Sequence, residues 1–200
     1  MNKACPSSQS DDADHDLMVR LAQGDELALN RLMDRWSDRV ASFLYRMTGR
    51  HDTALDLAQE TFVKLYQARN RYRPRGSQFS TWLFAIASNL AKNHARWRFR
   101  HPEVPLESPA CEGVNRIPEP QDAGADPAQA AIARESAEQV RLAVLALPDD
   151  QREALMLFTH EQLGYAEIAR IARCSPKAVE TRIYRARLTL KQKLKGLGMP

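Results

Sequence analysis

The sequence predicts an all-α protein of two small helical domains joined by a flexible, Pro-rich acidic linker. Three observations predict this. Apolar residues recur at steps of three and four through most of the chain, and no segment sustains period-two alternation. Helix-breaking residues (Gly49, Pro74, Gly76, Pro148) separate these periodic stretches. The stretch from Pro102 to Pro127 holds six of the chain's 11 prolines, has no helical period and carries six acids to one base. Such a stretch buries too little apolar area to offset its ordering entropy, so it reads as an interdomain linker. The expected boundaries are a disordered tail over 1–13, a first domain over 14–101, the linker over 102–128 and a second domain over 129–200.

The elements follow in order. From Asp25, the residues Leu29, Leu32, Met33, Trp36, Val40, Phe43, Leu44 and Met47 define an amphipathic helix stopped by Gly49. Leu55, Ala58, Phe62 and Leu65 define a second helix and are expected to pack inward. After the Pro74–Gly76 break, a long helix runs from about Ser80 to Phe99, with Leu83, Ile86, Ala87 and Leu90 as its buried stripe. Beyond the linker, helices are expected over 128–147, 149–160, 165–172 and 176–195.

Composition excludes several classes. No run of 18 apolar residues occurs, and the N-terminal segment lacks the apolar core of a signal peptide. The three cysteines, Cys5, Cys111 and Cys174, form no CxxC pair, which argues against a disulfide scaffold or a zinc site. A reducing cytoplasm is the expected location. No Gly-rich phosphate loop appears, and no metal or other cofactor is expected. The net charge of +4 conceals an uneven distribution. Residues 1–63 hold 7 bases and 11 acids, 64–101 hold 9 bases and no acid, 102–138 hold 2 and 8, and 139–200 hold 11 and 6. Two basic blocks separated by an acidic one suggest two nucleic-acid modules, because each phosphate contacted releases counterions. Basic but merely solvated helix faces are the alternative.

Two stretches carry chemistry beyond packing. On the helix over 80–99, Trp82, Asn89, Asn93, Arg96 and Arg100 lie within about 40° of one line at 100° per residue, with Lys92 nearby. A ring that stacks a base, amides that bond base edges and guanidiniums that bind phosphate together suit a single strand. The preceding loop, with Arg73, Arg75, Ser77 and Gln78, is basic and polar and can cradle an extruded base. Core filling by Trp82 and plain exposure of the two asparagines are the competing readings.

The second stretch spans Tyr165 to Arg187. A short helix, a break at 173–175, Ser175 as N-cap and Pro176 in the first turn give the helix-turn-helix layout. Val179, Ile183, Ala186 and Leu190 form the docking stripe, and the opposite face presents Lys177, Glu180, Thr181, Tyr184 and Arg185, flanked by Arg182 and Arg187. In this layout the second helix enters the major groove. Glu180 either accepts from a cytosine amine or serves as an acid that favours the helix dipole. Ahead of both stretches, Asp56, Gln59, Glu60 and Val63 share a helix face. That acidic face is either solvated or a docking surface for a basic protein.

Taken in order, these segments resemble the extracytoplasmic-function sigma factors of bacterial RNA polymerase. The resemblance rests on DLMVRLAQGDELALNRLMDRW (16–36), DLAQETFVKLY (56–66), FSTWLFAIASNLAKNHAR (79–96) and the module from Leu147 to Arg187. It implies that Asp56, Gln59 and Glu60 contact the clamp coiled-coil of core RNA polymerase. It implies that Trp82, Asn89 and Asn93 open the minus-ten element and hold its non-template strand, with the 73–78 loop capturing a flipped base. Lys177, Glu180, Thr181, Arg182 and Arg185 would read the minus-thirty-five element. Core polymerase (clamp and flap), promoter DNA and an anti-sigma factor, often membrane-bound in that family, are the implied partners. Many relatives carry a basic residue where Glu180 stands. In the loop the glycine comes late and Pro74 intrudes.

Two other readings compete. A helix-turn-helix regulator that never touches polymerase explains 139–200 and leaves the Trp/Asn/Arg stripe and the acidic 56–63 face unexplained. A DNA-processing enzyme needs a nucleophile or a metal-binding carboxylate cluster. Ser77 and Ser80 lie near bases, but no acid occurs between 64 and 101.

Overall fold

The computed structural model describes residues 7–73, 78–101 and 127–196, all of whose regular structure is helical. The first bundle comprises α1 (Ser7–Ala22), α2 (Leu27–Thr48), α3 (His51–Ala68), a 3-10 turn (Arg69–Arg71) and α4 (Phe79–Arg100). The second comprises α5 (Pro127–Leu145), α6 (Asp149–Thr159), α7 (Tyr165–Ala172) and α8 (Pro176–Gly196). The acidic Pro-rich segment over 102–126 lies outside the described residues.

Helix α2 is the spine. Its buried stripe of Ala28, Leu32, Trp36, Val40, Phe43, Leu44 and Met47 faces α3 and α4. Gly49 ends it with φ 74°, the left-handed conformation that favours glycine, and its amide donates to the Tyr45 carbonyl at 2.7 Å. Edge-to-face rings lock α4 onto this spine. Phe84 lies 5.3 Å from Phe43 and 6.1 Å from Trp36, and Phe79 lies 5.6 Å from Trp36.

The N-terminus departs from expectation. Helix α1 starts at Ser7, inside the stretch read as a tail, and runs on to an acid with a buried task. Asp14 is fully buried and accepts from Trp36 Nε1 at 3.1 Å, and Arg35 pairs with it at 2.9 Å. Burial of such a carboxylate requires this pairing. On α3 the inward stripe is Ala54, Leu57, Ala58, Thr61, Phe62 and Leu65. Leu55, expected inside, is exposed; the register places Leu57 there instead. On α4, Leu83 and Ala87 are buried, while Ile86 and Leu90 are half-buried at the edge of the core. Phe84 and Ala91 complete the inward face.

The two expected bundles form, and they pack on each other. Buried residues of both belong to one continuous apolar cluster, with α4 against α7 and α2 against α5 and α6. Each bundle on its own is small, and small domains bury a lower fraction of their surface.

Phe84 is fully buried between two aromatic partners, so Phe84→Ala removes both ring contacts and leaves a cavity. A loss of about 3–5 kcal/mol is expected by urea denaturation; a loss under about 1 kcal/mol would show that the core does not depend on this seam. Gly49→Ala forces a Cβ into a left-handed position, 2.6 Å from Leu145 Cδ1. Because that Leu145 methyl is a mobile chain end, the expected cost is mostly backbone, about 1–2 kcal/mol in the same measurement.

Candidate nucleic-acid interface

Helix α4 carries three differently used faces. Its core face packs on α2. A second face presents Asn93, Arg96 and Arg100 to solvent, with Asn89 half-buried beside them. Arg96 lies 3.4 Å from the Asn93 amide oxygen, a weak contact that leaves its remaining donors open. Trp82, at the start of this face, is half-buried in a cluster with Tyr72 (5.1 Å) and Phe79 (6.4 Å). It therefore fills part of the core edge and keeps the rest of its ring open. Gln78 is the extended residue at the helix start, and Arg73 is exposed just before it. Arg75 and Ser77 lie outside the described residues. Ser80 is buried. The helix ends in an exposed run of Trp97, Arg98, Phe99 and Arg100, with Trp97 stacked 5.1 Å from His101.

The acidic face of α3 is open. Asp56, Gln59 and Glu60 are exposed, and so are the apolar neighbours Leu55 and Val63. A mixed acidic and apolar face of this kind suits a protein more than a solvent shell.

The helix-turn-helix forms as expected. Arg173 turns the chain at φ 51°, and Ser175 Oγ accepts from the Ala178 amide at 3.2 Å, capping α8. Val179, Ile183 and Ala186 are buried against α6 and α7, and Leu190 is half-buried. Tyr184, Arg185 and Arg187 are exposed, with the Arg187 guanidinium 5.3 Å from the Phe158 ring. Four residues of the expected reading set have partners within the chain. Arg182 turns inward, pairing with Asp150 of α6 at 3.1 Å and approaching Cys174 Sγ at 3.4 Å. Lys177 and Glu180 pair with each other at 2.7 Å, and Thr181 Oγ1 donates to the Lys177 carbonyl. Cys174 is half-buried and packs on the core edge.

The third face of α4 holds residues that sequence reasoning missed. Glu153 of α6 is fully buried; Ser88 Oγ donates to one of its oxygens, and Lys92 Nζ lies 2.7 Å from the other. Lys92, expected to meet DNA, is thus held by a carboxylate. Thr81 Oγ1 donates to Glu167 at 3.2 Å, and Glu167 also accepts from the Gly164 amide that begins α7. Arg39 donates to Glu161 at 2.9 Å and covers the Trp36 ring. Arg152 donates to the Met47 carbonyl at the end of α2 and to the Leu147 carbonyl and Asp149. Burial pushes the Glu161 carboxyl up from its ordinary range, with Arg39 and Arg46 acting against the shift. Burial likewise pulls the Arg152 guanidinium down, opposed by Asp149. Glu153, immediately before the apolar run ALMLF (154–158), was the legible signal: an acid next to an apolar helical run needs a partner.

Among the described residues, no group of three or more His, Cys, Asp or Glu is placed to hold a metal ion. No helix among them is long and apolar enough to cross a membrane. The arrangement offers nucleic-acid and protein surfaces.

Comparison with known proteins agrees with that reading. The family Sigma-70 region 2 matches residues 32–100, and Sigma-70, region 4 matches residues 137–190. The first match covers the stripe and the acidic face, which a plain helix-turn-helix regulator leaves without explanation. The chain is 34% identical over 190 residues to the ECF RNA polymerase sigma-E factor of Haemophilus influenzae, covering 92% of this chain and 96% of that protein. It is 33% identical over 188 residues to the RNA polymerase sigma-H factor of Pseudomonas aeruginosa, covering 92% and 95%. Among solved structures it is similar to CnrH bound to the cytosolic domain of CnrY, with a TM-score of 0.68 and 25% identity over 92% of this chain and 98% of that one. It is also similar to the sigma factor RpoE of Bartonella quintana bound to the anti-sigma factor NepR, with a TM-score of 0.63 and 26% identity, covering 83% and 96%. Two sigma-70 regions in order, and relatives aligned over nearly the whole chain, place this protein in the ECF sigma factor family, which is not a family of enzymes.

Proposed function

We propose that this chain binds core RNA polymerase and directs it to promoters, reading the minus-ten element with α4 and the minus-thirty-five element with α8. The observation that carries this reading is the pairing, in one chain of the family, of an open aromatic–amide–guanidinium face on α4 with a capped helix-turn-helix. The exposed Asp56, Gln59 and Glu60 are the polymerase-binding residues, facing the clamp coiled-coil, and region 4 meets the flap. Trp82 stacks a base; Asn89 and Asn93 bond base edges; Arg96 and Arg100 bind phosphate, with Lys92 joining them once released from Glu153. Arg73, Arg75, Ser77 and Gln78 form the capturing loop. Ser175, Lys177, Glu180, Thr181, Tyr184, Arg185 and Arg187 contact the minus-thirty-five duplex. Arg182 supports them from behind through Asp150. The complexes of CnrH with CnrY and of RpoE with NepR support an anti-sigma factor as the regulating partner. The work is done in the cytoplasm, where polymerase is.

The energetics are consistent with this assignment. Each captured base contributes about 1–3 kcal/mol by stacking, enough to offset the few kcal/mol of unstacking per step. Run-off transcription with purified core polymerase on a promoter library is the direct test. Initiation that depends on this chain, from sites sharing two spaced elements, is expected. Tight duplex binding by the chain alone with no initiation would refute the reading.

Asn89→Ala with Asn93→Ala should leave polymerase binding intact and lower permanganate reactivity of melted thymines by about tenfold; equal reactivity would remove both from the opening step. Asp56→Arg with Glu60→Arg should weaken core binding by about tenfold or more, read by fluorescence anisotropy, because it reverses the charge of a docking face. Glu180→Arg should shift the preferred minus-thirty-five sequence by about 1–3 kcal/mol at one base pair. An unchanged selection profile would confine Glu180 to its pairing with Lys177.

A further inference from the structure

We propose that His15 is a positioning residue for strand capture: through Tyr72 it fixes the plane of Trp82, the ring that stacks a base of the opened minus-ten element. This rests on the function proposed above and names a support of that site in the first helix of the chain.

Helix α1 packs on α2 and also reaches the 3-10 turn and α4. Consecutive residues on a helix point about 100° apart, so neighbours can serve different elements. Asp14 serves α2, accepting from Trp36 Nε1 at 3.1 Å. His15 serves the end of the 3-10 turn, where its Nδ1 is hydrogen-bonded to the Tyr72 hydroxyl. The His15 and Tyr72 rings lie 5.5 Å apart.

Tyr72 is buried and stands where the chain leaves the 3-10 turn. Its ring lies 5.1 Å from Trp82, tilted by 58°, and 6.2 Å from Phe79, edge-on. Phe79 begins α4 and also meets the Trp36 ring at 5.6 Å. Adjacent residues of α1 therefore hold the two rings, Trp36 and Tyr72, that both contact Phe79. The first turn of α4 is tied to α1 by two routes, and Trp82 sits on one of them.

Ring packing alone does not fix a plane. Aromatic pairs are favourable over centroid distances of about 4.5–7 Å and several tilts. A hydrogen bond is far narrower in distance and angle. With its hydroxyl held by His15, Tyr72 cannot slide along the indole, and the half-buried Trp82 keeps one pose. A base stacks on a ring already in place, so the strand does not have to order it. Ordering one such side chain at an interface costs about two- to tenfold in binding. Neither α8 nor the Asp56, Gln59 and Glu60 face takes part in these contacts, so the effect falls on opening and not on recruitment.

The full chain has three tryptophans, Trp36, Trp82 and Trp97, so 5-fluorotryptophan labelling gives three fluorine resonances, assigned with Trp82→Phe and Trp97→Phe. Trp36 reports whether α1 stays docked, because Asp14 holds its Nε1. His15→Leu and Tyr72→Phe should each shift or broaden the Trp82 resonance and leave that of Trp36 in place. With core RNA polymerase, on a promoter selected from the run-off library, both variants should open the duplex about two- to tenfold more slowly by permanganate reactivity, at unchanged affinity for core. His15→Asn, whose amide stands where Nδ1 does, should recover the parent resonance and rate. His15→Leu combined with Tyr72→Phe should be no slower than either alone, since one hydrogen bond is lost only once. An unmoved Trp82 resonance, an unchanged opening rate or an additive double variant would overturn the inference. Displacement of the Trp36 resonance in both single variants would mark a folding role and overturn it too. A parent chain that opens no promoter with core polymerase would overturn the proposed function, and the inference with it.

Discussion

A helix has one circumference, and α4 divides its own among three tasks. At 3.6 residues per turn, faces separated by about 100–150° are the most that a single helix can keep independent. The core face, built on Leu83, Phe84 and Ala87, is fixed by the rings of Trp36 and Phe43. That fixing sets the direction of everything else. It turns Asn93, Arg96 and Arg100 outward, and Ser88 and Lys92 toward the second bundle. A rotation of α4 by one residue would move the amides into the core. The aromatic seam therefore positions the nucleic-acid face without contributing an atom to it.

Charge organises the second level. The basic block over 64–101 holds no acid of its own, so its cations find carboxylates only from elsewhere in the chain. Region 4 supplies Glu153 to Lys92, and Glu161 comes to Arg39 of α2. Both carboxylates are buried, but Arg39 is half-exposed, so only the Lys92–Glu153 pair approaches the buried case, where removing a single partner costs about 3–5 kcal/mol although replacing the whole pair by apolar residues can be neutral. They specify which surfaces meet more than they add stability.

Much of this was legible in the sequence because periodicity reports burial. Helix α7 falls at 165–172 as expected, and the caps at Gly49 and Ser175 follow from their residue types. Leu55 was misplaced because two leucines, at 55 and 57, offered alternative registers and only tertiary packing selects between them. The start of α1 was missed because SSQSDDA (7–13) is polar and acidic and carries no apolar period. The open stripe on α4 and the exposed Asp56, Gln59 and Glu60 were readable from helical angle alone. Arg182 was not, since an arginine on a flank can face DNA or an acid such as Asp150 with equal sequence logic. The contact between bundles left almost no local trace. Its partners are 65, 86 and 122 residues apart, and no periodic pattern spans such separations.

The pairing of residues across the two bundles also bears on how such chains diverge. Position 92 lies on the same helix as the nucleic-acid face but has its partner at 153, and positions 39 and 161 form a second such couple. A substitution at one member leaves the other stranded, so the couples must drift together. Exchanging the C-terminal module between relatives exchanges only half of each couple. A hybrid can inherit two competent modules and still lose the register between them.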